Sequence, residues 1–141
     1  MKKILGIDYG TKRIGLAISD GLKTISVPLE TIEGKKTLKE TITHLEKVLG
    51  ERLSTIESFV VGLPLHLSGQ ESSMSQTCRE FANALEEHFG KKVFLVDERF
   101  SSAQVDSDLR RLGVKRKKRE KHLDSASACL VLQNFLDQLG N

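Results

Sequence analysis

The sequence predicts an α/β fold in which helices flank a mixed five-stranded sheet. Residues 4–32 alternate apolar and other side chains with the period of β-strands, whereas later segments repeat apolar residues with the period of helices. Between those helices lie two short, uninterrupted apolar runs, which are typical of strands buried on both faces. Such sheets carry helices on their faces and bind ligands at the carboxyl ends of their strands.

The first three strands are predicted to form an antiparallel meander. A short connection, Thr11-Lys12-Arg13, joins the first two, so they pair as neighbours. The residues that define them are Ile4, Leu5 and Ile7 in the first strand, Ile14, Leu16 and Ile18 in the second, and Ile25 to Ile32 in the third.

Helices and buried strands alternate after the meander. Apolar residues at helical spacing predict a helix over Leu38–Leu49 and another over Met74–Phe89, each stopped by a glycine. The buried strands are expected at residues 59–61 and 92–96. A loop from Gly62 to about Gln70 follows the first of them.

The last part of the chain is predicted to contain a short helix over Ser102–Leu112 and a final helix from Leu123 to about Leu139. The segment Lys115–Lys121 connects them and carries six positive side chains and one negative. This segment therefore carries a charge of +5 and the rest of the chain carries −2, which together give the net charge of +3. Such local basicity favours a polyanionic partner.

Length and composition predict one domain over residues 1–141. Cys78 and Cys129 stand alone in apolar helical patterns, which is typical of reduced core thiols. No run approaches the length of a membrane span, and the amino terminus lacks the apolar core of a signal peptide. We therefore expect a cytoplasmic protein with no membrane partner, as a monomer or weak dimer.

Carboxylates occur where two predicted strands end. Asp8 follows the first strand and precedes a glycine turn, and Asp97 and Glu98 follow the fifth. Asp124 lies on the face of the last helix that is predicted to pack inward, where it could also cap the helix or pair with Lys121 or Arg99. Since a buried charge needs a partner or a metal, these groups predict a Mg²⁺ or Mn²⁺ site suited to phosphodiester hydrolysis. Strand alternation alone leaves the choice between Asp97 and Glu98 open.

Basic side chains near these carboxylates are candidates for contacts with a nucleic-acid backbone, which Lys and Arg make without reading sequence. His66 and Ser68, in the loop after the fourth strand, could also approach a phosphate, or could belong to a plain connection. The predicted nucleic-acid-binding residues are Lys12, Arg13, Arg99, Lys115, Arg116, Lys117, Lys118, Arg119 and Lys121.

Four motifs follow one another along nearly the whole chain. They are Gly6-Ile7-Asp8-Tyr9-Gly10 with Arg13-Ile14-Gly15, Val61-Gly62-Leu63-Pro64-Leu65 with Gly69, Asp97-Glu98-Arg99-Phe100-Ser101, and Asp124-Ser125-Ala126-Ser127-Ala128 with Leu132-Gln133. In these motifs the chain resembles the YqgF family of pre-16S rRNA nucleases, also described as Holliday-junction-resolvase-like.

The resemblance implies an RNase H-like fold and a divalent-metal nuclease site formed by Asp8, Glu98 and Asp124. It also implies a cytoplasmic role in maturing the 5′ end of pre-16S rRNA during ribosome biogenesis. The expected partner is therefore structured nucleic acid, most simply pre-16S rRNA or a pre-ribosomal particle. The expected cofactor is Mg²⁺ or Mn²⁺.

Three other functions fit parts of the sequence. The family resemblance also covers resolution of DNA Holliday junctions. A non-catalytic RNA-binding assembly factor could keep the same fold, because fold alone does not determine function. Finally, Asp8-Tyr9-Gly10-Thr11 resembles the phosphate-binding turn of actin-like ATPases and sugar kinases, although 141 residues leave no room for their second domain.

Overall fold

A computed structural model of the protein describes residues 2–65, 68–97 and 116–140, and within 116–125 it describes the backbone alone. The described chain forms one five-stranded sheet with the strand order β3-β2-β1-β4-β5. The five strands are β1 (Lys3–Tyr9), β2 (Arg13–Ser19), β3 (Ser26–Glu33), β4 (Ile56–Leu63) and β5 (Lys92–Asp97).

The predicted antiparallel meander is confirmed. β1 pairs antiparallel with β2, with Asp8 opposite Gly15, and β2 pairs antiparallel with β3, with Arg13 opposite Glu33. β1, β4 and β5 run parallel, so their carboxyl ends meet at one edge of the sheet. β3 runs in the same direction as β1 and ends at that edge as well. We call it the carboxyl edge.

Three described helices flank the sheet. They are α1 (Leu38–Leu49), α2 (Ser73–Phe89) and α3 (Arg116–Leu139), and a 3₁₀ helix at Gly50–Thr55 leads from α1 into β4. Thr37 caps α1 by accepting a hydrogen bond from the backbone N–H of Glu40. Ser72 caps α2 in a reciprocal arrangement with Ser75. Among the described residues, no helix is long and apolar enough to cross a membrane.

Two predicted boundaries are wrong. β4 continues through Gly62 and Leu63, which pair with Val96 and Asp97, so the expected loop begins after Leu63 and not at Gly62. The basic segment is not a connection before the last helix, because α3 already begins at Arg116. Lys, Arg and Glu are good helix formers, and a charged run therefore continues a helix without an apolar face. The predicted helix over residues 102–112 lies outside the described residues.

The sheet has a hydrophobic core on each face. On one face α1 and α2 cover a large core that includes Leu5, Ile7, Phe59 and Phe81. On the other face α3 covers a smaller core that includes Ile4, Val60 and Leu132. Cys78 is buried and Cys129 partly buried, and neither forms a disulfide; that both are reduced stays a prediction.

Gln133 joins α3 to the start of β3. Its side-chain oxygen accepts a hydrogen bond from the backbone N–H of Ser26 at 2.9 Å. Its side-chain nitrogen donates to the carbonyl of Thr24 and to Asp137, both at 2.9 Å. The hydroxyl of Ser26 donates in turn to the carbonyl of Cys129 at 2.8 Å. The polar contacts therefore hold α3 in register along the sheet.

We expect Gln133→Leu to lower the free energy of unfolding by about 1–3 kcal/mol, because it leaves the partly buried N–H of Ser26 without its partner. Chemical denaturation of the variant and the wild type measures this difference. Asn134→Ala is the control, since Asn134 is the exposed next residue on the same helix. Equal losses in the two variants would contradict a specific role for Gln133.

Candidate nuclease site at the carboxyl edge

Asp8 lies at the carboxyl edge, one residue before the end of the central strand β1. It is partly buried, as are Tyr9 and Gly10 after it. The side chains of Ile4 and Asp8 share one face of the sheet with Gly6, because residues two apart in a strand point the same way. Ile4 belongs to the core under α3, and therefore Asp8 faces the side of the sheet that α3 covers.

Gly6 brings α3 very close to β1. A Cβ atom on Gly6 would lie 2.7 Å from the Cβ of Leu132 and 3.1 Å from the carbonyl oxygen of Ala128. Neither atom is the free end of a flexible side chain, so a larger residue would have to displace the helix. Glycine in a strand interior often marks such a close approach of another backbone. Here it determines the spacing between the end of β1 and α3.

The course of α3 leads from the core toward Asp8. Ile4 borders a surface groove together with Phe135 and Leu139, whereas Gly6 contacts Ala128 and Leu132. α3 therefore runs antiparallel to β1, and its earlier residues lie nearer the carboxyl edge. One helical turn before Ala128 is position 124, and two strand residues beyond Gly6 is Asp8; both steps are about 6 Å. This course directs the start of α3 toward the site.

The alternation along β5 indicates that Asp97 and Asp8 belong to opposite faces of the sheet. Phe94 and Val96 pack with the core under α3, whereas Val93 packs with the core under α1 and α2. The alternation of β5 places Asp97 on the face of Val93. Asp97 is exposed. Of the two carboxylates that the sequence left open, Asp97 is thus the less suitable partner for Asp8, and Glu98 lies outside the described residues.

Tyr9 supports the other side of the strand end. Its ring stacks on Phe81 with the ring centroids 4.1 Å apart. Burial raises the pKa of the Tyr9 phenol, and the neighbouring Cys78 and Glu80 raise it further. The phenol is therefore neutral at physiological pH and adds no charge beside Asp8. Its role at this edge is packing.

The described side chains supply one member of the predicted metal-binding set. Asp8 offers carboxylate oxygens, which are the donors that Mg²⁺ and Mn²⁺ prefer. Within residues 2–65, 68–97 and 126–140, no three potential ligands come together. The side chains of Glu98 and Asp124 lie outside those ranges, so the three-carboxylate set stays a prediction. The partly buried position of Asp8 at the strand end fits it.

The predicted nucleic-acid-binding residues divide into described and undescribed ones. Lys12 is exposed in the turn before β2, and Arg13 is the exposed first residue of that strand, so both lie at the carboxyl edge. Residues 116–121 form the beginning of α3, which the course of that helix directs toward the same edge. Arg99 and Lys115 lie outside the described residues.

The loop after β4 shows a local role for Ser68. Its hydroxyl accepts a hydrogen bond from the backbone N–H of Gln70 at 3.4 Å, and Ser68 is exposed. Ser72 donates a hydrogen bond to the carbonyl of Pro64 at 2.7 Å, which joins the end of β4 to the start of α2. His66 lies outside the described residues. The proposed approach of Ser68 or His66 to a phosphate stays a prediction.

The sequence interpretation missed the role of Gly6 and the lysines that precede and line α1. Gly6 belongs to the first sequence motif, and its position inside a strand is the signal for close helix packing. The lysines are dispersed over residues 35–47 among neutral and acidic residues, so they do not form the continuous basic run that would indicate a binding surface in the sequence.

A family model described as "RuvX: Holliday junction resolvase" matches residues 2–138 of the chain. A protein of Koribacter versatilis is 41% identical over 138 residues, which are 98% of this chain and 88% of that protein. A protein of Protochlamydia amoebophila is 38% identical over 139 residues, which are 96% of this chain and 93% of that protein. Both carry the name "Putative pre-16S rRNA nuclease".

Two solved structures have a similar fold. Thermus thermophilus RuvC in complex with a Holliday junction substrate matches with a TM-score of 0.55 and 18% identity, over 99% of this chain and 97% of that one. The fowlpox virus resolvase with Holliday junction DNA matches with a TM-score of 0.62 and 15% identity, over 99% of both chains. At these identities the likeness shows the fold, which confirms the predicted RNase H-like class.

Proposed function

The chain belongs to the RuvX family, and we propose that it is a divalent-metal nuclease that processes the 5′ end of pre-16S rRNA in the cytoplasm. The observation that carries the proposal is the position of Asp8. Its carboxylate lies partly buried at the carboxyl end of the central strand, on the face that α3 covers. The names of the relatives support pre-16S rRNA as the substrate.

In this proposal Asp8, Glu98 and Asp124 would hold Mg²⁺ or Mn²⁺. When bound, the cation supplies Lewis-acid activation of water and neutralises charge on the leaving oxygen. The contribution of Asp8 is to present a carboxylate from a rigid strand, so that little reorganisation is needed when the ion and substrate arrive. The alternation of β5 supports Glu98 over Asp97 as its partner.

The basic residues of the carboxyl edge would position the nucleic acid. Lys12 and Arg13 lie exposed beside the turn that follows β1, and they can neutralise phosphates next to the bond that is cleaved. Arg99, Lys115 and the residues Arg116, Lys117, Lys118, Arg119 and Lys121 would extend this contact. We propose that the protein acts as a monomer or weak dimer on a structured RNA.

Resolution of DNA four-way junctions is the second candidate function. The description of the RuvX family favours it, because that description names Holliday junction resolvases. The two functions share the chemistry of phosphodiester hydrolysis and differ in the nucleic acid that is positioned at the edge. The 2′-hydroxyl and the A-form shape of RNA are the features by which a protein can distinguish them.

A cleavage assay tests the proposal and chooses between the substrates. A pre-16S rRNA 5′ fragment and a four-way DNA junction are incubated side by side with the wild-type protein in Mn²⁺, in Mg²⁺ and in EDTA. We expect metal-dependent cleavage of the RNA and none in EDTA. Cleavage of the junction alone would support the second function. Retained RNA binding without cleavage of either substrate in any metal would instead indicate a non-catalytic assembly factor.

A further inference from the structure

Four exposed lysines lie on the surface formed by α1 and the connection before it. Lys35 and Lys36 precede the helix, and Lys39 and Lys47 are on it. Lys39, Thr43 and Lys47 are spaced four residues apart, so they follow one exposed ridge of the helix. We call Lys35, Lys36, Lys39 and Lys47 the α1 basic face.

The α1 basic face borders a shallow groove. Lys35, Lys39, Thr43 and Lys47 line this groove together with His44 and one acidic residue, Glu40. Among the residues that the structure describes, no carboxylate forms an ion pair with any of the four lysines of the face. Their ammonium groups are therefore available to a partner that brings its own negative charge.

Three acidic side chains, Glu33, Glu40 and Glu46, lie near the four lysines in sequence. Glu46, on the same helix, lies 3.2 Å from the imidazole of His88 on α2. Glu33 lies opposite Arg13 in the strand pair β2–β3. Glu40 is an acidic residue that lines the groove, and three of the lysines line it as well. The local charge is thus positive in a chain that is negative outside residues 115–121.

Backbone contacts connect the face to the carboxyl edge. The N–H of Gly34 donates a hydrogen bond to the carbonyl of Lys12 at 2.9 Å, and the N–H of Lys35 donates to the hydroxyl of Thr41 at 2.9 Å. A Cβ atom on Gly34 would overlap the carbonyl oxygen of Thr11, so this approach requires glycine. Lys12 and Lys35 are therefore held next to each other.

We infer that the α1 basic face binds the phosphate backbone of a duplex arm of the substrate that extends away from the cleavage site. The inference rests on the proposed nuclease function and adds a second contact surface to it. The helical rise places Lys39 and Lys47 about 12 Å apart along the axis, which is long enough to follow several phosphates. The contact is electrostatic and independent of sequence, because lysines on a helix exterior reach the backbone and not the base edges.

The test compares two triple variants that lose the same charge. The first is Lys35→Gln/Lys39→Gln/Lys47→Gln. The control is Lys2→Gln/Lys23→Gln/Lys92→Gln, whose lysines lie before β1, in the β2–β3 connection and at the start of β5, at the opposite edge of the sheet. The probe is an RNA hairpin with a long duplex stem, and binding is measured from 50 to about 300 mM salt, where phosphate contacts show as a salt slope.

We expect the α1 variant to bind the long hairpin about tenfold or more weakly at low salt, with a logarithmic salt slope shallower by about two to three, as for the loss of three phosphate contacts. Shortening the stem should weaken binding by the wild type and by the control, and should change the α1 variant little. Circular dichroism and thermal unfolding verify that both variants are folded.

The outcomes separate this inference from the proposed function. If the α1 variant shows the same salt slope and stem-length dependence as the control, the inferred role of the α1 basic face is wrong. The nuclease proposal would not be affected. A salt slope that is shallower only in the α1 variant would support RNA binding by the α1 basic face. If the wild type nevertheless cleaves no RNA in any metal, the result would count against the nuclease proposal. Failure of the wild type to bind the hairpin would overturn the inference, and the cleavage assay would still decide the nuclease proposal.

Discussion

Asp8→Asn is expected to abolish metal-dependent cleavage while the chain stays folded. The amide has nearly the same shape as the carboxylate but lacks the negative charge that a divalent cation requires. Since Asp8 lies at the end of a strand and outside the closed hydrophobic cores, the substitution leaves the packing of the sheet in place. Cleavage should fall by at least about a hundredfold, the usual effect of removing one preorganised electrostatic group.

The matched control for this prediction is Asp97→Asn. Asp97 also lies at the carboxyl end of a parallel strand, but on the face opposite to that of Asp8. We expect this variant to retain cleavage within a few-fold of the wild type. Initial cleavage rates and calorimetric titration with Mn²⁺ measure the two effects in parallel. Full activity of Asp8→Asn, or equal losses in both variants, would contradict the assignment of Asp8 as a metal ligand.

The strand pattern made the sheet predictable from sequence. The alternation of Ile14, Leu16 and Ile18 permits one face to be buried by α1 and α2 and the other to carry small residues under α3. The apolar run at residues 59–61 required helices on both faces, and the structure has them. Local pattern and global packing agree in these elements, which is why few residues sufficed to predict them.

Element ends were less predictable, because tertiary contacts determine them. Gly62 breaks an apolar pattern, yet it continues β4 since β5 pairs with it through Val96. The beginning of α3 contains no apolar periodicity, and its helical start at Arg116 depends on the propensity of Lys and Arg. Apolar periodicity predicts the buried part of a helix but gives no information about a charged extension of that helix.

The sequence predicts where the candidate site lies more readily than which residues form it. Asp8 could be placed at the carboxyl edge from the strand and glycine pattern alone. The strand pattern alone left open the choice between Asp97 and Glu98; the contacts of Phe94 and Val96 on the α3 side favour Glu98, which stays a prediction. The α1 basic face could not be found from sequence, since Lys12 and Lys35 become neighbours only through the pairing of β2 with β3 and the contact of Gly34.

Gly6→Ala is expected to weaken metal binding at the candidate site by displacing α3. The new methyl group would meet the Cβ of Leu132 at 2.7 Å and the carbonyl of Ala128 at 3.1 Å, so α3 must move away from β1. Overpacking of this kind lowers the free energy of unfolding by about 1–3 kcal/mol. Because position 124 is on the same helix, the distance between Asp8 and Asp124 should increase. We therefore expect Mn²⁺ affinity to fall by about tenfold or more, since productive sites tolerate displacements of only about 0.5 Å.

Leu85→Ala separates the effect on the site from a general loss of stability. Leu85 is fully buried on α2, in the core on the opposite face of the sheet, and its truncation costs about 2–5 kcal/mol. Both variants are titrated with Mn²⁺ well below their unfolding midpoints. We expect Leu85→Ala to bind the ion like the wild type although it is at least as destabilised. Metal affinity that falls equally in both variants, or in neither, would show that the close approach at Gly6 does not control the spacing of the carboxylates.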